Sequence, residues 1–190
     1  MISKEKELAK ISTEILQCKF CLKNKRGLLV VGEGCSNAKI VFVGEAPGKE
    51  EIKTGRPFIG RAGKLLRELI ALTQISEKDY YILSAVKYLP KNYITPKPKD
   101  IEHGKLHLLD QLAVIKPKII VVLGNTASIS LLSEKIKISE DHGKVIVSKN
   151  KTEVGLKFFL SYHPAAALYS PKLKTELIKD FIKLKKIITS

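Results

Sequence analysis

Leu8, Ile11, Ile15 and Leu16 recur at helical spacing and predict an amphipathic opening helix, with a short basic loop over residues 18–26. Residues 28–31 are apolar and short enough to be an edge strand. The run Ala-Lys-Ile-Val-Phe-Val at 38–43 reads as a strand, and apolar positions within 64–72 return to the helical period. Strand-forming composition over 80–86 is followed by a stretch at 87–98 that carries three prolines and reads as an exposed, basic connection. Residues 100–115 predict a helix with Ile101, Leu108, Leu109, Leu112 and Ile115 inward, despite Gly104. The β-branched run at 118–123 suits a strand covered on both faces, as parallel strands are. A helix then starts at Gly124-Asn125-Thr126 and ends near Leu132. Residues 139–150 are polar, a loop or hairpin with a minor strand at 145–147. A last strand ends at Phe158-Phe159-Leu160, residues 161–171 form a loop, and 172–188 form a closing helix.

Strands alternating with helices over most of the length predict an α/β fold with a mainly parallel central sheet, in a single domain spanning residues 1–190. Ligands of such sheets bind beyond the carboxyl ends of the strands. Those ends present Glu45 with its loop, residues 84–87, Gly124-Asn125 and Tyr162-His163-Pro164. A carboxylate, a hydroxyl, an imidazole and an open backbone loop should therefore meet at one cleft.

The loop after Glu45 is unusual. Five glycines and two prolines fall within residues 44–63, between a predicted strand and a predicted helix. Glycine costs backbone entropy and supplies no packing, so its concentration here points to close approach of a ligand to the backbone, the alternative being a plain turn. The loop lacks the G-K-[ST] of a phosphate-binding P-loop and the G-x-G-x-x-G of a dinucleotide site, which counts against a nucleotide-binding enzyme.

Charge narrows the class of partner. Thirty-four Lys and Arg against nineteen Asp and Glu leave a net charge of +15, and nucleic acid is the first candidate to match it. A thermophile's lysine enrichment normally raises glutamate too, and here it has not. No stretch approaches the roughly 18 to 20 apolar residues of a membrane span, and the amino end lacks a signal-peptide core, so the expected protein is cytoplasmic with no membrane partner. Three cysteines, Cys18, Cys21 and Cys35, do not make a disulfide framework in such a chain. The C-x-x-C of Cys18 and Cys21 is either a metal or iron–sulfur clasp or two reduced thiols.

His163 lies in S-Y-H-P-A-A-A-L, where small residues after the proline let the loop press against a flat or extended partner. Phe58, the one aromatic of the glycine-rich loop, is either an anchor for that loop or a stacking platform for a base. The motif G-E-A-P-G-K-E-E-I-K-T-G-R-P-F-I-G-R-A-G, paired with the late H-P-A-A-A-L and preceded by C-x-x-C, resembles the family 4 uracil-DNA glycosylases, and the match covers nearly the whole chain.

That resemblance implies a three-layer α/β/α sandwich around a mainly parallel four-stranded sheet, acting as a monomer on single- or double-stranded DNA. It implies hydrolysis of the N-glycosidic bond of uracil, or of a related deaminated base, to leave an abasic site; a non-hydrolytic binder of damaged or single-stranded DNA is the alternative on the same fold. By the family's pattern His163 donates a hydrogen bond to the uracil carbonyl, Glu45 or Glu51 orients water or offsets sugar charge, and Phe58 stacks on the flipped ring. Ala46 and Gly48 contact the base through their backbone, while Pro164, Ala165, Ala166 and Lys87 meet the DNA. Three positions depart from the pattern. Ser84 stands where the family has an Asn that reads the uracil edge. Tyr88 and His103 stand where two of four cysteines would hold a 4Fe-4S cluster, which leaves Cys18 and Cys21 in place. The alternatives are a site that has lost its metal and is held by packing, or one that binds another ion through Cys18, Cys21 and His103.

Overall fold

The computed structural model describes residues 2–91, 95–132, 136–148 and 155–189. The chain opens with α1 (Lys4–Gln17), α2 (Lys19–Asn24), β1 (Lys25–Arg26), β2 (Glu33–Gly34) and β3 (Ile40–Gly44). It continues with α3 (Glu51–Thr54), α4 (Arg61–Thr73), β4 (Tyr80–Ser84), β5 (Leu89–Pro90) and α5 (Pro98–Ile115). The remainder forms β6 (Ile119–Leu123), α6 (Asn125–Leu131), α7 (Ile138–Asp141), β7 (Val145–Val147), β8 (Lys157–Ser161), α8 (Pro164–Ala167) and α9 (Pro171–Thr189).

Among the described residues one sheet runs β2-β4-β3-β6-β8-β7. Its inner four strands are parallel and both edges are antiparallel. The expected parallel quartet is present, widened by two short edges. β7 is the minor strand expected at 145–147. The other edge departs from the sequence pattern: β2 pairs with β4, not residues 28–31. The amides of Leu28 and Val30 are taken instead by the Ile52 and Lys87 carbonyls, at 2.8 Å each, and Leu29 and Val30 are buried. β1 and β5 form a separate two-stranded ribbon.

Alternation along the parallel strands divides the core into two. Ile40, Phe42, Val121, Leu123 and Phe159 pack with Leu66, Leu69, Phe181 and Leu184 of α4 and α9. Val41, Val43, Ile120, Val122 and Leu160 pack with Leu8, Leu108, Ile115 and Ala127 of α1, α5 and α6. Period-2 strands between helices on both faces give the three-layer sandwich. Asp180, a buried acid on α9, accepts from Ser161 Oγ at 2.8 Å and lies 3.0 Å from His142 Nδ1, which ties the closing helix to the end of β8.

Several local expectations change. Leu16 and Leu109 are exposed, because the faces of α1 and α5 that contain them look outward. Residues 18–26 contain α2, and residues 161–171 contain α8. Much of the connection at 87–98 is buried: Lys87, Tyr88, Leu89, Pro90 and Pro96 are all inside, while its residues 92–94, like 149–150 of the polar stretch, lie outside the described set.

The chain leaves β3 to β4 on one side and then crosses to β6 on the other. β3 and β6 therefore flank the topological switch point, where a crevice opens beyond the carboxyl ends of the strands. Glu45, Gly124 and their loops line its two sides.

Candidate active site and a cysteine–histidine cluster

The glycine-rich loop is folded around one carboxylate. Glu51 is buried, and its Oε1 accepts the amides of Ile59 at 2.9 Å and Gly60 at 2.8 Å. This closes the loop into a ring and ends it where α4 begins, three residues earlier than the apolar pattern indicates. Two of its glycines are required by contact. A Cβ on Gly63 would fall 1.8 Å from the Phe58 carbonyl oxygen. A Cβ on Gly44 would lie 2.4 Å from the Phe58 ring and 3.3 Å from His163 Nε2, so the missing side chain lets ring and imidazole meet over bare backbone. Phe58 holds φ at 51°, a conformation that costs a non-glycine residue of order 1 to 3 kcal/mol and persists only when its surroundings impose it.

His163 arrives from the end of β8 and caps α8. Its Nδ1 accepts the Ala165 amide at 3.2 Å. An accepting Nδ1 leaves the ring proton on Nε2, so the neutral imidazole is a donor at the Nε2 end that faces Gly44 and Phe58. Burial lowers its pKa from 6.5 to about 4, with the Glu51 charge partly opposing. The sign of the linkage follows. The unfolded imidazole titrates near 6.5, so the stability tied to neutral His163 is complete above that pH and is lost as pH falls through about 4, by up to about 3 kcal/mol. Imidazole nitrogen spectra should therefore show His163 as the neutral Nε2–H tautomer from about pH 8 to about pH 5. A cationic ring at about pH 6 would contradict this geometry.

Glu45 sits across the switch point. Its Oε2 accepts from Thr126 Oγ1 at 2.6 Å, a bond joining the end of β3 to the first turn of α6. This leaves Oε1 without a protein partner among the described residues. A cleft of about 450 Å³ opens here, lined by Glu45, Ala46, Gly48, Glu51, Phe58, Ser84, Ala165 and His163, with Leu89, Pro90, Thr95 and Pro96 forming another wall. Of the residues expected at the base, all line this one space. Two expected DNA contacts need correction. Lys87 is wholly buried and its Nζ turns inward to the Ser84 carbonyl at 2.9 Å, so it meets no DNA. Pro164 is buried as the first residue of α8 and sets that helix, whereas Ala166 is exposed. A larger cleft of about 1240 Å³ lies at the opposite, amino ends of the strands, but among the described residues lysines are its only titratable lining.

Thr126 reads from the sequence only as part of a helix start; its place at the site comes from a hydrogen bond to a partner 81 positions away. His107 escapes the sequence reading, although it lies four residues after His103 on a predicted helix and so shares its face. The structure gathers Cys18, Cys21, His103 and His107, with one donor atom of each within 4.8 Å of every other. Tyr88 does not join them. Its hydroxyl donates to Asp100 Oδ1 at 2.6 Å, while Asp100 Oδ2 accepts the Lys97 amide at 2.9 Å and starts α5. The 4Fe-4S cluster implied by the family does not fit this set. A cubane spreads its ligands around four irons and four sulfides and is held by thiolates, whereas here two thiols and two imidazoles converge closely.

The crevice at the switch point of this parallel sheet thus gathers an aromatic ring, a neutral imidazole donor and a carboxylate around one recess. The profile of the uracil DNA glycosylase superfamily matches residues 31–184. The chain is 41% identical over 186 residues to a type-4 uracil-DNA glycosylase of Sulfurisphaera tokodaii, covering 95% of this chain and 84% of that protein. It is 39% identical over 179 residues to that of Archaeoglobus fulgidus, covering 92% and 89%, and 38% identical over 192 residues to that of Thermotoga maritima, covering 99% and 98%. This chain belongs to the uracil DNA glycosylase superfamily.

Proposed function

We propose that this chain hydrolyses the N-glycosidic bond of uracil in DNA, leaving an abasic site. The observation that carries the reading is the convergence of His163 Nε2 and the Phe58 ring over Gly44 in a cleft closed by Glu45. The base must leave the stack to enter such a recess, at a cost of a few kcal/mol that is smallest in single strands and mismatches. Phe58 then stacks on it and Ser84 faces its edge. As the C1′–N1 bond breaks, the electron pair goes to the base and spreads onto its carbonyl oxygen, where the His163 Nε2–H donates. A preorganised donor aimed at developing charge is worth about 3 to 4 kcal/mol. Glu45, fixed by Thr126, offsets the cationic sugar and takes a proton from the water that adds to C1′. The net charge of +15 holds phosphates, so affinity falls steeply with salt.

Labelled strands carrying one uracil, alone or opposite G or A, test the reading: treatment of the products with alkali should cut at the uracil position. Binding without scission would leave a DNA-binding protein of the same fold. Ser84→Asn adds a donor and an acceptor to the recess, and on this reading it raises kcat/KM for uracil roughly tenfold or more. No gain, or a loss, would mean that Ser84 does not face the base edge.

A further inference from the structure

We propose that Cys18, Cys21, His103 and His107 bind one zinc ion, which takes the structural place of the iron–sulfur cluster in this chain. The spacing reads C-x2-C and H-x3-H, the donor set of structural Cys2His2 zinc sites, although the two halves are supplied by distant parts of the chain. Cys18 and Cys21 lie at the junction of α1 and α2, and both histidines project from one face of α5.

Distances favour a single ion. Tetrahedral zinc, with bonds of about 2.0 to 2.3 Å, keeps its ligands roughly 3.3 to 3.8 Å apart. Cys18 Sγ lies 3.1 Å from His103 Nε2, and all four donors fall within 4.8 Å of one another, so small rotations bring them onto one centre. A cubane requires the side chains to retreat from each other.

Two further observations point to a ligand. His107 Nε2 is fully buried with no hydrogen-bond partner among the described residues, which is costly for a polar atom unless something binds it. The His103 ring is held in place by stacking on Phe20, centroids 4.2 Å apart, and meets His107 edge-on at 5.2 Å. Position also gives the ion a task. Cys21 packs with Val86, Tyr88 and Ile101, and Ala46 of the base cleft leans on the same group. An ion joining α2 to α5 thus braces the wall on which the uracil site is built.

The test counts metal and needs no DNA, so it stands or falls apart from the glycosylase reading. Full-length protein purified without oxygen from cells supplied with both iron and zinc should carry one zinc per chain, no acid-labile sulfide and no visible absorption. Replacing the zinc with Co2+ should give the visible bands of tetrahedral thiolate-bound cobalt, saturating at one ion per chain. His107→Ala and Cys21→Ser should each weaken zinc by at least roughly a hundredfold. Should either variant fail to fold, the cobalt titration of the wild type still decides. About four irons and four sulfides per chain would overturn the proposal. So would folded protein that takes up neither zinc nor cobalt, or folded variants that keep wild-type affinity.

Discussion

Replacing His163 by alanine is expected to slow single-turnover release of uracil by roughly a hundred- to a thousandfold while leaving DNA affinity within about threefold. The asymmetry follows from when the hydrogen bond matters. In the ground state the base carbonyl is neutral, and the donor at Nε2 is one weak contact among many. In the proposed reaction that oxygen gains negative charge as the glycosidic bond breaks, and the same donor becomes strong. The protein has prepared it: Nδ1 is committed to the Ala165 amide, and burial keeps the ring neutral with a pKa of about 4. The donor is therefore in the Nε2–H tautomer above about pH 5. Single-turnover rates beside fluorescence-anisotropy titrations of the same uracil strand measure the two effects. Equal losses in rate and affinity would make His163 a binding residue.

Glu51→Ala is expected to cost roughly 2 to 4 kcal/mol of stability and to reduce excision severely, because two charge-assisted hydrogen bonds vanish and two amides are left unpaired. The Ile59 and Gly60 amides bound by Glu51 directly follow Phe58, which is held at positive φ. Without the carboxylate nothing offsets that strain, and the ring leaves its place beside His163. Glu51→Gln separates the two roles proposed for this residue. Its amide oxygen still accepts both bonds, so a loop-positioning residue is rescued in large part, in stability and in rate. If the glutamine variant folds with wild-type stability yet is as inactive as the alanine variant, the charge of Glu51 takes part in the chemistry. Urea denaturation and single-turnover rates, read together, decide between these outcomes.

The sequence pattern shows the layers and the cleft because both rest on short-range regularities. Apolar runs at 38–43, 80–86 and 118–123 mark buried parallel strands, and the strand-end rule brings Glu45, Ser84 and His163 to one place before any contact is known. What stays hidden depends on partners far along the chain. The Thr126 bond to Glu45, the inward turn of Lys87, and the commitment of Tyr88 to Asp100 are all set by packing of separated segments. Three prolines indicate an exposed, basic connection at 87–98, yet Lys87 is buried and Tyr88 packs with Cys21 of α2 and Ile101 of α5. His107 is the instructive omission. Spacing puts it on the face of His103, yet a donor one helical turn beyond the family's cysteine positions shows its role only where Cys18 and Cys21 are brought beside it.

The chemical identity of what the wild-type protein releases decides whether this chain excises uracil. An excess of protein is incubated with a strand carrying one uracil, and the small-molecule fraction is weighed by mass spectrometry, with the matched thymine strand as control. One equivalent of free uracil and an abasic strand are expected, and nothing from thymine. An intact uracil strand, recovered bound to folded protein, would contradict uracil excision.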